Sequence, residues 1–131
     1  EEDAVIELAI RTKETARIAH NLIQACRDHL IVNKQRLFIT KQNVLDTMKK
    51  HNIDMYGLKR KDREYLQIVE QNGPIGIMTI AKMLGYRNTA PIDEIIEPYI
   101  MRHGWVTVEA GRKLTKTGKM VVNNLRKNNY L

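Results

Sequence analysis

The sequence predicts a mainly α fold: a small all-helical unit, then three helices and a β-hairpin closed by a last helix. Three observations predict it. Apolar residues recur at helical spacing through residues 1–50. Beyond Leu58 the helical stretches are shorter and punctuated by Gly and Pro. One alternating run, Trp105-Val106-Thr107-Val108, then precedes a turn at Glu109-Ala110-Gly111. Charge also differs: residues 1–56 hold 9 basic and 8 acidic residues, residues 57–131 hold 13 and 7.

The first unit is assigned to residues 1–55. Val5, Ile6, Leu8, Ala9 and Ile10 fit a short helix ending before Lys13. Thr15 is placed to cap a second helix, with Ile18, Leu22, Ile23, Cys26 and Leu30 along one broad face. Leu37-Phe38-Ile39 is a short extended run. Thr40 has the N-cap chemistry for a third helix lined by Val44, Leu45 and Met48. Asn52 to Gly57 forms the joint between the two units.

The second unit is assigned to residues 56–131. Leu58, Tyr65, Leu66, Ile68 and Val69 mark a helix stopped by Gly73-Pro74. Met78 to Leu84 is a short helix closed by Gly85 at its C′ position. Thr89 caps a third helix bearing Ile92, Ile95, Ile96, Tyr99 and Ile100. Pro98 falls inside that pattern, so a kink or break is expected where its ring crowds the Glu94 carbonyl. Gly104 ends the helix. Trp105–Val108 and Arg112–Thr115 are the hairpin strands, with Trp105 or Val106 inward. Thr117-Gly118 leads into a final helix carrying Met120, Val121, Val122 and Leu125.

Composition bounds the function. The chain has 131 residues, 43% hydrophobic and 28% charged, as a folded domain or two small ones would be. No apolar run approaches the roughly 20 residues that span a bilayer, and Glu1-Glu2-Asp3 lacks the basic and apolar regions of a signal peptide. A membrane role is therefore not expected. The single cysteine, Cys26, excludes an internal disulfide framework and suits a reducing, cytoplasmic compartment. It reads as a small core residue. His20, His29, His51 and His103 lack metal-ligand spacing, so no metal site is expected. The chain does not begin with Met and is expected to be a piece of something longer.

Three helices followed by a hairpin is the order of a winged helix, in which a helix approaches a groove of nucleic acid and the hairpin tip reaches the backbone. The third helix carries Asp93, Glu94 and Glu97, read here as a solvated acidic face that phosphates repel. The stretch 110–131 holds Arg112, Lys113, Lys116, Lys119, Arg126 and Lys127 and no acid. DNA contact is thus expected at backbone phosphates, through wing and tail, with little dependence on sequence. By charge alone the same stretch also reads as a solvated tail, Arg112 as a turn residue and Arg17 as a surface arginine. Trp105 and Tyr99 read as core.

A set of residues carries a family resemblance. Asp62-Arg63, Gly73-Pro74-Ile75-Gly76, Thr79-Ile80-Ala81, Leu84, Ile92-Asp93-Glu94, Glu97-Pro98-Tyr99, Gly104, Gly111-Arg112 and Thr115 resemble the C-terminal winged helix of the RuvB family, AAA+ motors of Holliday-junction branch migration. Upstream, Glu14-Thr15-Ala16-Arg17-Ile18-Ala19 and Arg27-Asp28 resemble the start of the small helical AAA+ lid of the same family. The resemblance implies that Arg17 is the sensor-2 arginine reaching the γ-phosphate of ATP. It implies that Arg112 faces DNA, with Lys113 and Lys116 supplying further phosphate contacts. It implies a hexameric ring on duplex DNA or a Holliday junction, in recombination and repair, with ATP and Mg2+ in the intact helicase. It also implies a RuvA-type junction-binding partner reached through an N-terminal domain that this chain lacks. Two departures stand out: Glu14 and Ala16 replace Gly and Pro of the family's Gly-Thr-Pro-Arg, and Val108-Glu109-Ala110 lacks the further wing arginine.

The chain contains no GxxxxGK[ST] loop and no apolar strand ending in paired acids. It is therefore expected to bind no ATP by itself and to have no ATPase activity. Two other function classes remain at this point. A free-standing winged-helix regulator would read bases, which Asp93, Glu94 and Glu97 oppose. A protein-interaction winged helix would bind no DNA, which the basic second half opposes.

Overall fold

The structure is a computed structural model that describes residues 2–13, 16–35 and 38–131. The chain divides into two compact units, Glu1–Lys59 and Arg60–Leu131. The expected cap at Thr15 and the start of the run at Leu37 lie outside the described residues. None of the described helices is long and apolar enough to cross a membrane.

The first unit packs α1 (Glu2–Arg11), α2 (Ala16–Val32) and α3 (Lys41–Lys50) around Ala4, Leu8, Leu22, Cys26, Val44, Met48 and Ile53. Thr40 caps α3: its hydroxyl accepts the Asn43 N–H at 3.1 Å, one of the donors left without an intrahelical partner. Burial pushes the Cys26 thiol above its usual pKa, although the Thr47 hydroxyl opposes the shift. Phe38 and Ile39 form no strand, and Phe38 is exposed. The face of α1 also differs from expectation. Ala4, Leu8 and Arg11 are buried, while Val5, Ile6 and Ile10 face solvent. At the end of this unit Asp54 organises a turn, its carboxylate accepting the N–H groups of Tyr56 at 2.8 Å and Leu58 at 3.0 Å.

The second unit runs α4 (Arg60–Asn72), α5 (Ile77–Met83), a π-helical turn (Ile92–Ile96) continuing into α6 (Glu97–Arg102), β1 (Val106–Val108), β2 (Arg112–Leu114) and α7 (Lys116–Lys127). Tyr65, Leu66, Val69, Ile80, Ile92, Ile100, Val122 and Leu125 are fully buried. The third helix starts at Ala90 with Thr89 at the N-cap position, its carbonyl accepting the N–H groups of Ile92 at 3.0 Å and Asp93 at 2.9 Å, while the Asn88 side chain accepts the Ala90 N–H at 3.0 Å. Pro98 does not break the helix. The turn ahead of it widens, and the Glu97 N–H donates to the Ile92 carbonyl five residues back. Pro98 has no N–H to donate to the Glu94 carbonyl, and the widened turn lies directly ahead of it. Thr115 opens α7, accepting the Gly118 N–H at 3.0 Å. Gly118 is glycine for a packing reason: a Cβ there would collide with the Trp105 carbonyl.

Candidate nucleic-acid interface

The wing is a short antiparallel pair with Val106 opposite Leu114, Thr107 opposite Lys113 and Val108 opposite Arg112. Alternation turns Val106 and Leu114 inward and leaves Lys113 exposed. Ile75 adds a third arm: its N–H donates to the Arg112 carbonyl at 3.0 Å and its carbonyl accepts the Arg112 N–H at 2.6 Å. The turn passes through Gly111 at φ +124°, where a Cβ would lie 2.8 Å from the Ile75 nitrogen. Glycine satisfies both the backbone angle and the close approach.

Beneath the wing lies an aromatic cluster. His103 stacks on Trp105 with ring centres 5.0 Å apart, and Tyr99 meets both edge-on at 4.5 and 5.6 Å. Tyr99 and Trp105 are buried, as expected of core residues. The Thr115 hydroxyl donates to the Gly104 carbonyl at 2.6 Å, tying the wing root to the first turn of α7.

Exposed lysines lie on the wing and along one side of the last helix. Lys113 lies in β2, and Lys116, Lys119 and Lys127 lie on α7 opposite its buried Val121, Val122 and Leu125. Arg126 is engaged elsewhere. Its guanidinium donates to both Glu70 oxygens, at 2.7 and 3.3 Å, and that bond raises its pKa.

Arg112 is turned toward the protein. Its Nε donates to Glu97 Oε2 at 3.0 Å and its Nη2 to Oε1 at 3.2 Å. The Tyr65 hydroxyl donates to the same Oε2 at 2.5 Å. The hydrogen bond to Glu97 raises the Arg112 pKa, and burial together with the Glu97 carboxylate holds the Tyr65 hydroxyl far above its usual pKa. Glu97 is therefore not part of a solvated acidic face. It is 5% exposed, whereas Asp93 and Glu94 face solvent. The widened turn is the reason. An α-helix places successive residues about 100° apart, so one extra residue in the turn carries Glu97 round from the face of Asp93 and Glu94 toward the core. The same shift leaves Ile95, expected on the apolar face, 69% exposed. The sequence signal is Pro98, which marks a disturbed helix without giving the register of Glu97.

Arg17 is exposed in the first turn of α2, and its neighbours Glu14 and Thr15 lie outside the described residues. Near it, Val5, Leu8, Ala9, Thr12, Ala16, Ala19 and Ile23 line a mainly apolar groove of about 350 Å³. Among the described residues no group of His, Cys, Asp and Glu is arranged to hold a metal ion.

A family model of the RuvB C-terminal winged helix domain matches residues 55–123. The Holliday junction branch migration complex subunit RuvB of Tropheryma whipplei is 33% identical over 118 residues, which cover 87% of this chain and 34% of that protein. The subunit of the same name from Ehrlichia ruminantium is 36% identical over 119 residues, 89% of this chain and 35% of its own length. The solved structure of the Thermotoga maritima RuvB Holliday junction branch migration motor matches with a TM-score of 0.85 at 34% identity, over 94% of this chain and 42% of that one. The chain spans about a third of the length of the RuvB relatives it matches.

Proposed function

This chain belongs to the RuvB family, carrying its C-terminal winged helix domain, and from that membership we propose that it is the lid and DNA-facing part of a branch-migration motor. The second unit grips the phosphate backbone of duplex DNA at a Holliday junction. The observation that carries the reading is the exposure of Lys113, Lys116, Lys119 and Lys127 on a domain of this family, in a stretch without a single acid. Asp93 and Glu94, exposed on the third helix, oppose base readout, so contact is to backbone and independent of sequence. A free-standing sequence-reading regulator is disfavoured for the same reason. Arg112 faces Glu97, so the phosphate contacts are assigned first to Lys113 and Lys116.

The first unit supplies Arg17 to an ATP site. Its guanidinium is exposed and suits a phosphate. ATP supplies the phosphoryl-transfer energy in the intact motor. The Mg2+ ligands and the phosphate loop come from the large ATPase domain, and so does the docking of a RuvA-type partner. In a cytoplasmic homohexamer, six wings on one duplex raise the effective concentration of contacts that are weak singly.

The test is binding of two unrelated duplexes over a salt series. Affinity should fall steeply with salt, with a log–log slope of about 0.9 per phosphate contacted. Lys113→Ala and Lys116→Ala should each weaken both duplexes alike and reduce that slope by about 1. Loss on one duplex only would indicate base readout and a regulator. Absence of binding by the unsubstituted chain would indicate a protein partner. In the intact motor Arg17→Ala should depress kcat while leaving DNA affinity unchanged; normal turnover would remove Arg17 from the nucleotide site.

A further inference from the structure

Three side chains from three elements meet beside the turn of the wing. Tyr65 comes from α4, Glu97 from the first position of α6, and Arg112 from the first position of β2. All three bonds converge on one carboxylate: Tyr65 Oη and Arg112 Nε on Oε2, Arg112 Nη2 on Oε1. The Glu97 side chain is 7% exposed and that of Arg112 is 19% exposed. The geometry is the two-pronged guanidinium–carboxylate fit, which fixes orientation as well as distance. The main chain of Arg112 is held too, by its pair of bonds to Ile75. The next residue, Lys113, points to the opposite face of the strand and is exposed.

We propose that Glu97 and Tyr65 are positioning residues for the wing: they hold the Arg112 guanidinium as an internal clamp that sets the angle at which Lys113 meets the DNA backbone. The inference rests on the reading that the wing contacts DNA. Arg112, in this view, acts through its fork and not through its charge toward phosphate. Lysine has the same charge but no fork, so it cannot replace Arg112. Glu97 is the informative position because two effects there have opposite signs. Removing its negative charge makes the domain more attractive to a polyanion. Removing its grip on Arg112 frees the strand that carries Lys113.

The experiment measures duplex binding over a salt series for the chain, for Lys113→Ala, and for Glu97→Gln and Arg112→Lys, each alone and combined with Lys113→Ala. Amide hydrogen exchange of the wing is followed in each. Expected is weaker binding for Glu97→Gln despite the gained positive charge, by about tenfold, within the range by which contacting residues couple. Arg112→Lys should weaken binding to a similar degree, and Lys113→Ala should add little in either background. The Arg112 and Ile75 amides should exchange faster, while those in the middle of α4 keep their protection. Should Glu97→Gln fail to fold, Arg112→Lys and Tyr65→Phe, which keeps the ion pair and loses one bond, carry the same comparison. Stronger or unchanged binding by Glu97→Gln, wild-type affinity in Arg112→Lys, or full additivity with Lys113→Ala overturns the clamp, as do wing amides that stay protected. Absence of salt-dependent binding by the unsubstituted chain overturns the DNA reading itself and the positioning role with it. That outcome is distinct from wild-type binding that survives every clamp variant.

Discussion

Helices α1 and α7 are both short and rich in apolar residues, yet they resolve differently. α7 buries Val121, Val122 and Leu125 and presents Lys116, Lys119 and Lys127 to solvent, as expected of a surface helix with one apolar stripe. α1 buries Ala4, Leu8 and Arg11 and leaves Val5, Ile6 and Ile10 in solvent. The buried Arg11 is held by Glu7, 3.4 Å away, and by the Ile53 carbonyl at the same distance. A single stripe lets patterning choose the buried face. Apolar residues around most of a helix leave that choice to the neighbours, and here it fell to the small Ala4, which allows close approach, and to Leu8.

The contrast can be broken at its strongest point by Leu125→Ala. Leu125 is fully buried, and truncation should cost about 2–5 kcal/mol. Trp105, the only tryptophan, lies in the same unit, so its fluorescence should report a lowered denaturation midpoint. A shift as small as a surface substitution gives would refute the packing assigned to α7. Gly118→Ala comes next. Its new Cβ meets the Trp105 carbonyl, which is backbone and cannot swing aside, and the cost should be about 1–3 kcal/mol. An unchanged midpoint would mean that α7 starts elsewhere.

The two caps sharpen the comparison between units. Thr40→Ala and Thr115→Ala should each lose about 1 kcal/mol. Thr115→Ala should lose more, because its hydroxyl also donates to Gly104. Equal losses in chemical denaturation would show that the Gly104 bond contributes nothing net.

Alkaline pH separates the units by chemistry. Tyr65 has a raised folded-state pKa, so its stabilising effect is complete below the unfolded value of 10.0 and is lost as pH rises beyond it. Cys26 behaves in the same sense from an unfolded value of 9.0. Stability should therefore fall above about pH 9. Tyr65→Phe and Cys26→Ala should each flatten part of that fall when Tm is followed from pH 8 to 11. A slope unchanged in both variants would assign the loss to other groups. The smallest effect belongs to α1: Val5→Ser and Ile6→Ser should stay within about 0.5 kcal/mol. A loss comparable to that of Leu8→Ala would show that the outward side of α1 is covered in solution.

Much of the second unit was legible because its signals are local. Gly73-Pro74 ends α4, Gly85 closes α5, and Trp105–Val108 alternates before a glycine turn. Each constrains the backbone within a few residues. In the first unit Thr40 was legible for the same reason, since its bond reaches only to Asn43. Among the site residues, Lys113 and Lys116 could be read as exposed cations. Arg112 could not be read as partner to Glu97, because that pairing depends on a one-residue change in helical register and on a tertiary fold that brings the start of β2 within reach of Glu97.

The sequence by itself determined the order of elements, the helical first half, the hairpin and the acid-free basic stretch, since periodicity, turn chemistry and charge are properties of neighbouring residues. Only the tertiary structure decided which side of α1 is buried, that Pro98 widens a helix instead of ending it, and that Arg112 and Arg126 answer to Glu97 and Glu70 while Lys113 and Lys116 face solvent. The physical reason is distance along the chain. Residues 15 and 56 apart in sequence meet only when the whole domain has folded, and the Glu97 carboxylate, which loses water to burial, takes the guanidinium the fold brings to it.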